Sequence, residues 1–134
     1  MSEARPAGGA GPRVVVLADD LIWATRLVDG VGRAGGRALP ARTREAFEGA
    51  LAEADGALVD LTARAYDGLA AIGRAHEAGV AVVAVGQHDD TEQRRAAKAA
   101  GASRVHAYRA LFEHGDRELT AWLATLAPAE EERS

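Results

Sequence analysis

The sequence has no cysteine, few aromatic residues and no long apolar run, and each shortage excludes a class of protein. Without cysteine among its 134 residues, the chain can form neither disulfides nor thiolate metal sites. No apolar run approaches the roughly 20 residues that span a bilayer, and the first residues lack the apolar segment of a signal peptide. The formal net charge of −4 offers no broad basic surface for nucleic acid. We therefore expect a cytoplasmic protein with neither a membrane nor a nucleic acid as partner.

The composition is that of one globular domain. Hydrophobic residues make up 48% of the chain, and this length suits a single domain with a real core. Residues 1–12 are rich in Gly, Ala and Pro without periodicity, which predicts a disordered lead-in. The domain is then expected to cover residues 13–127, followed by an acidic tail at residues 128–134.

Three short apolar runs predict the centre of a sheet. They lie at residues 14–18, 57–59 and 80–85, and the absence of polar alternation is typical of parallel strands buried on both faces. Asp19 and Asp20 follow the first run, and Asp60 ends the second. If these two strands are parallel neighbours, the three carboxylates converge at one edge of the sheet, where open α/β folds place their sites.

Helical patterns alternate with the strands. Strands are predicted at residues 13–18, 37–41, 57–60, 80–86 and 104–107, with a turn at residues 55–56. Helices are predicted at residues 21–34, 43–54, 66–78, 91–100 and 111–126. Pro40 places the second strand at an edge of the sheet. The prediction is a flavodoxin-like (βα)5 three-layer sandwich with a parallel five-stranded sheet in the order 2-1-3-4-5.

The helices carry apolar faces and capping signals. The residues expected to face inward are Ile22, Leu27, Val28, Val31, Phe47, Ala50, Leu51, Ala54, Leu69, Ile72, Ala75, Leu119, Trp122, Leu123 and Leu126. Thr43 is the predicted N-cap of the second helix, and Asp89 with Glu92 is the predicted start of the fourth. We expect Trp23 to pack in the core and also to cover the acidic pocket.

Two motifs are weak in this context. Residues 30–35 match the dinucleotide pattern as text, but they end a helix and precede a strand, which reverses the required order. His88 with Asp89 and Asp90 could bind a metal, although a capping loop is the better interpretation.

The chain resembles the receiver domains of bacterial two-component response regulators over residues 13–126. The resemblance rests on residues 18–20 after the first strand, 59–61 around the end of the third, and 101–102 before the fifth. Residues 20–26 and 84–89 look, more narrowly, like a group of short stand-alone receiver-like proteins. The resemblance implies that Asp60 occupies the phospho-acceptor position. It also implies a Mg²⁺ site made by Asp19, Asp20, Asp60 and the backbone carbonyl of Thr62.

Several residues depart from the receiver pattern. Gly86 occupies the position of the Ser or Thr whose hydroxyl meets the phosphoryl group, and Tyr108 occupies the position of the Lys that pairs with it. Arg109 replaces the usual Pro, and Val105 replaces the aromatic switch residue. The acids of the pocket are retained, whereas the hydroxyl, the cation and the aromatic switch residue of the receiver pattern are missing.

The main hypothesis is a degenerate stand-alone receiver that acts as a signalling module and not as an enzyme. Its partner would be another protein or a second copy of itself, which would use the basic cluster Arg94, Arg95 and Lys98 and the acidic cluster Glu113, Asp116 and Glu118. One alternative is a working Mg²⁺-dependent phospho-acceptor that is modified on Asp60. Another is a flavodoxin-like domain that binds a small molecule at the same edge, since the fold alone does not decide function.

Overall fold

The computed structural model contains five parallel strands between two layers of helices. It describes residues 11–87 and 90–126, except for the side chains of residues 112 and 114–116. The strands are β1 (Arg13–Leu17), β2 (Arg37–Ala41), β3 (Gly56–Asp60), β4 (Ala81–Gly86) and β5 (Arg104–Ala107). The helices are α1 (Leu21–Arg33), α2 (Arg44–Ala50), α3 (Gly68–Glu77), α4 (Thr91–Ala100) and α5 (Tyr108–Leu126), and a short 3₁₀ turn (Leu51–Glu53) extends α2.

The strand order is β2-β1-β3-β4-β5 and every pairing is parallel. The predicted flavodoxin-like sandwich and its strand order are confirmed, and Pro40 lies in the edge strand β2. Because β3 lies between β1 and β4, its final residue Asp60 reaches the centre of the carboxyl edge. The predicted lead-in and acidic tail fall almost wholly outside the described residues and stay predictions.

Each face of the sheet has its own core. One cluster packs the side of the sheet covered by α2, α3 and α4, around Phe47 and Ile72. The other packs the side covered by α1 and α5, around Leu27, Trp122 and Leu123. All five residues of β3 are buried, as the unbroken apolar run predicted.

Two residues predicted to face inward do not do so. Ile22 is 65% exposed and Leu69 is 37% exposed. Each lies in the first turn of its helix, and the buried residues of α1 and α3 lie further along. The first turn of α1 extends past the end of β1, so the sheet does not cover it.

Helix starts also differ from the prediction. Thr43 is the N-cap of α2 as expected, since its side chain accepts from Ala46 N. The N-cap of α4 is Asp90, which accepts from Gln93 N at 2.9 Å, and the predicted cap Asp89 lies with His88 outside the described residues. Helix α3 begins after the cap Asp67, and α5 begins at Tyr108, directly after β5. Within the described part of the chain, no helix has the length and apolar character needed to cross a membrane.

Candidate functional site

Asp60 is a fully buried carboxylate at the centre of the carboxyl edge. It ends β3, pairs with Val85 of β4 and is 0% exposed. Its Oδ1 accepts from both the backbone N–H and the hydroxyl of Thr62, each at 2.8 Å. Its Oδ2 is buried and has no hydrogen-bond partner of standard geometry. A buried charge is costly unless it is well paired, so the free energy of this carboxylate depends on the groups that surround it.

Tyr108 lies over Asp60. The β4–β5 register pairs Gly86 with Ala107, which brings the next residue, Tyr108, beside the end of β4. Its side chain is 9% exposed. Burial raises the pKa of Tyr108, and the hydrogen bond with the Asp60 carboxylate raises it further. The hydroxyl is therefore kept neutral, and Tyr108 brings no cation to Asp60.

Trp23 covers Tyr108 from α1. The two ring centroids are 4.1 Å apart and the planes are tilted by 37°, which is closer than the roughly 4.5–7 Å usual for aromatic pairs. The Arg26 guanidinium lies 5.5 Å from the centroid of the Trp23 ring, within reach of a cation–π interaction. We call the Trp23–Tyr108 pair the aromatic roof. The sequence predicted that Trp23 packs in the core and covers the acidic pocket; in the structure it is half-buried and lies against Tyr108.

The two other acids have different roles. Asp20 is the N-cap of α1, where its Oδ1 accepts from Ile22 N at 2.9 Å and from Trp23 N at 3.1 Å. The Oδ2 of Asp19 accepts from Ala65 N at 3.3 Å. Backbone N–H groups thus hold both carboxylates at the sheet edge.

The predicted Mg²⁺ site is not assembled in this arrangement. Within residues 11–87 and 90–126, no three acidic or histidine side chains are grouped so that they could hold a metal ion. Mg²⁺ requires near-octahedral oxygen ligands, whereas Asp20 caps a helix and Asp60 lies sealed with its Oδ1 occupied by Thr62. The set Asp19, Asp20, Asp60 and the Thr62 carbonyl, as placed, does not fit the ion.

Tyr66 is a site residue that sequence reasoning missed. Its hydroxyl lies 2.7 Å from the carbonyl oxygen of Asp60 and 3.0 Å from that of Leu17. It therefore ties the end of β3 to the end of β1. Burial raises the pKa of Tyr66, and the Asp60 and Asp19 carboxylates add to the rise. The signal in the sequence was a tyrosine in the loop after the third strand, which the helical pattern assigned to the start of α3.

Gln93 fills the space left by Gly86. A Cβ on Gly86 would lie 2.8 Å from the Gln93 side-chain oxygen, and the Gln93 amide donates to the carbonyl of Leu61 at 3.2 Å. An α4 side chain therefore occupies the space beside Gly86, and its contact joins α4 to the end of β3.

The remaining switch positions do not restore a cation at Asp60. The Arg109 side chain is 80% exposed, and its Nε lies 3.7 Å from the Glu113 carboxylate. Val105 is half-buried and packs against the core beneath α4. The carbonyl of Val105 accepts from the Arg94 guanidinium at 3.4 Å.

A recess of about 520 Å³ opens beside the aromatic roof. Its wall combines aromatic, charged and small polar residues: Trp23, Tyr108, Arg26, Arg109, Glu113, Thr62, Gln87 and Gly86. Asp60 does not reach this recess because Tyr108 and Thr62 lie in between.

No protein-family model matches the chain, and no curated protein is similar to it in sequence. Solved structures of receiver domains do match. The receiver domain of the Francisella response regulator 1452 has 17% identity and a TM-score of 0.71, covering 89% of this chain and 98% of its own. A response regulator receiver domain protein from Clostridium thermocellum has 13% identity and a TM-score of 0.74, covering 92% and 99%.

A third match holds a metal. The receiver domain of sensor histidine kinase PA1611 from Pseudomonas aeruginosa PAO1, with magnesium coordinated in its active-site cleft, has 19% identity and a TM-score of 0.71. It covers 85% of this chain and 98% of its own. The fold of this chain is that of the response-regulator receiver domains.

Proposed function

We propose that the protein is a degenerate receiver, a cytoplasmic signalling module of the two-component type that works through protein contacts and not as an enzyme. The observation that carries the proposal is the sealing of Asp60 beneath Tyr108. Transfer of a phosphoryl group requires in-line access to the carboxylate and a cation to neutralise the transferred charge. This site offers neither, since Asp60 has no exposure and a neutral hydroxyl faces it.

The test is the intact mass of the protein after incubation with acetyl phosphate and Mg²⁺. We expect no stoichiometric gain of a phosphoryl group in the wild type. A gain that disappears in Asp60→Asn would show a working phospho-acceptor and reject the proposal.

A matched variant checks that the missing groups are the cause. Gly86→Thr with Tyr108→Lys restores the hydroxyl and the cation, and Gln93→Ala clears the space that the new side chain at position 86 would otherwise contest. We expect this triple variant to gain mass, and the gain to require Asp60. If a folded triple variant stays unmodified, the lost groups do not explain the inactivity, and the proposed cause is wrong.

The contact surface that we propose is the face formed by α4, β5 and α5, with a second copy of the chain as the partner. Arg95 and Lys98 are exposed on α4, and the acids Glu113 and Glu118 lie on α5 beside it. In a two-fold pair, the basic cluster of one copy can meet the acidic cluster of the other. Asp116, the third predicted acid, lies outside the described side chains.

Charge reversal tests this surface. In sedimentation equilibrium, Arg95→Glu and Glu118→Arg should each weaken self-association, and the double reversal should recover part of it. A wild type that stays monomeric at all concentrations would reject the homodimer and leave a different protein as the partner.

A further inference from the structure

The recess beside the aromatic roof has the size and chemistry of a small-molecule site. Its volume of about 520 Å³ falls within the roughly 300–1,000 Å³ that is typical of ligand pockets. Such pockets combine apolar or aromatic walls with a few polar groups that orient the ligand. This recess has both kinds of wall, and it lies outside the sealed carboxylate.

The charge of the wall favours an anion. Among the described residues of its wall, two guanidinium groups, Arg26 and Arg109, line the recess with one carboxylate, Glu113. The Arg109–Glu113 pair is largely exposed, with a separation of 3.7 Å, and exposed pairs of this kind contribute little free energy. Arg109 can therefore exchange Glu113 for an anionic ligand group at small cost. A guanidinium also binds a carboxylate in a two-pronged geometry.

The other wall favours a planar ring. Trp23 is half-buried and lines the recess beside Tyr108, with the Arg26 guanidinium 5.5 Å from its ring centroid. An aromatic surface thus lies next to a cation, which suits a ligand that carries a ring and an acid group together.

We propose that the recess binds a small planar aromatic carboxylate, with its ring against Trp23 and its carboxylate toward Arg109 and Arg26. The ligand does not contact Asp60, so binding does not depend on phosphorylation. The inference goes beyond the proposed function because it adds a small-molecule input. Failure of this inference can be told apart from failure of the proposed function. The mass assay tests phosphorylation of Asp60, whereas the titration described below tests ligand binding at Trp23.

The experiment is an NMR titration of the ¹⁵N-labelled protein with 2-naphthoate. The chain has two tryptophans, so the indole N–H region gives a reporter in the recess and an internal control. Trp122 is 3% exposed in the core beneath α5. We expect a saturable shift of the Trp23 signal and none of the Trp122 signal. Neutral 2-naphthalenemethanol and non-aromatic cyclohexanecarboxylate should each bind at least about fivefold more weakly, because each lacks one of the two recognised groups.

Two substitutions that should change the affinity in opposite directions test the roles given to Arg109 and Glu113. Arg109→Gln should weaken 2-naphthoate binding about two- to fivefold, the size of one partly exposed charge contact. Glu113→Gln should tighten binding about twofold, because it removes the carboxylate that competes for Arg109. Arg37→Gln, exposed on the edge strand β2 and outside both the recess and the proposed contact surface, should leave the affinity unchanged.

Three results would overturn the inference. They are the absence of a saturable Trp23 shift at millimolar 2-naphthoate, equal binding of the neutral alcohol, and changes in the same direction for Arg109→Gln and Glu113→Gln. The backbone ¹H–¹⁵N spectrum of each variant establishes that it is folded before its affinity is compared.

Discussion

At the scale of the residue, the surroundings of Asp60 determine what its carboxylate can do. In an open acidic pocket, a strand-end carboxylate is solvated and close to like charges. Here it is sealed, and its Oδ1 takes both donors of Thr62. Its carboxylate is fully buried and its Oδ2 lacks a partner of standard geometry, so burial of this group carries a free-energy cost.

Asp60→Asn should raise the free energy of unfolding by about 1 kcal/mol, because it removes the buried charge and keeps an acceptor for Thr62. Asp60→Ala should lower it by about 1–3 kcal/mol, because both Thr62 donors lose their acceptor. Urea denaturation at neutral pH measures both changes. Asp29→Asn, on the exposed side of α1, is the matched control and should change stability by less than about 0.5 kcal/mol. If Asn destabilises as much as Ala, the carboxylate charge itself is needed at this position.

At the scale of the elements, the sequence predicted the sheet better than the ends of the helices. The apolar runs identified β1, β3 and β4, because a strand buried on both faces needs apolar residues throughout. Pro40 identified the edge strand β2, because proline has no N–H group to donate to a neighbouring strand. The start of α5 was predicted at residue 111 and lies at Tyr108. No Gly or Pro marks this junction, so nothing in the pattern signals that β5 passes straight into a helix.

The site depended on side-chain directions that a sequence pattern does not contain. Asp19, Asp20 and Asp60 do end neighbouring strands, as predicted. The pattern did not show that Asp20 would cap α1, that the Tyr66 hydroxyl would join two strands, or that Tyr108 would lie over Asp60. Each of these contacts depends on which way one loop or junction residue points, and such residues obey no helical or strand period.

The face formed by α4, β5 and α5 should make stability depend on pH. His106 of β5 has its pKa lowered from 6.5, first by burial and then by Arg104 and Arg94, whereas Glu118 of α5 acts in the opposite direction. The unfolded chain therefore binds a proton on His106 at a pH where the folded chain does not. The free energy of unfolding falls as the pH drops below 6.5 toward the lower pKa of the folded state.

Between about pH 7.5 and about pH 5.5, wild-type stability should fall more than that of His106→Gln, which has no such proton to take up. Glu118→Gln should fall more steeply than wild type, because it removes the carboxylate that favours the charged imidazole. Urea midpoints across this pH range measure the effect. Parallel curves for all three proteins would show that His106 does not couple protonation to folding.

At the scale of the whole molecule, the fold is separable from the reaction site of its structural neighbours. The two cores lie on the two faces of the sheet, whereas Asp19, Asp20 and Asp60 lie at its carboxyl edge. Burial of the two cores stabilises the sandwich whether or not Asp60 can react. A chain with this scaffold can therefore keep the receiver fold while aromatic and amide side chains close the pocket.

The response of the whole fold to Mg²⁺ separates the closed pocket from an open one. A ligand that binds only the native state stabilises it by mass action, by about 1.4 kcal/mol at ten times its dissociation constant, which is a shift of a few degrees in Tm for a domain of this size. The sequence alone predicts such a shift, because it places three carboxylates together. The structure predicts a change in Tm below about 1 °C at constant ionic strength, because Asp20 caps α1 and Asp60 is sealed.

Asp20→Ser is the matched variant for these thermal melts. Serine also caps helices well, so the variant keeps the start of α1 while it removes the carboxylate, and its Tm should stay within about 2 °C of wild type. Mg²⁺ should then leave the Tm of both the wild type and the variant unchanged. If millimolar Mg²⁺ raises the Tm of wild type and not that of Asp20→Ser, Asp20 leaves the helix to bind the ion. The pocket would then open in solution, and Tyr108 would cover Asp60 only when the metal is absent.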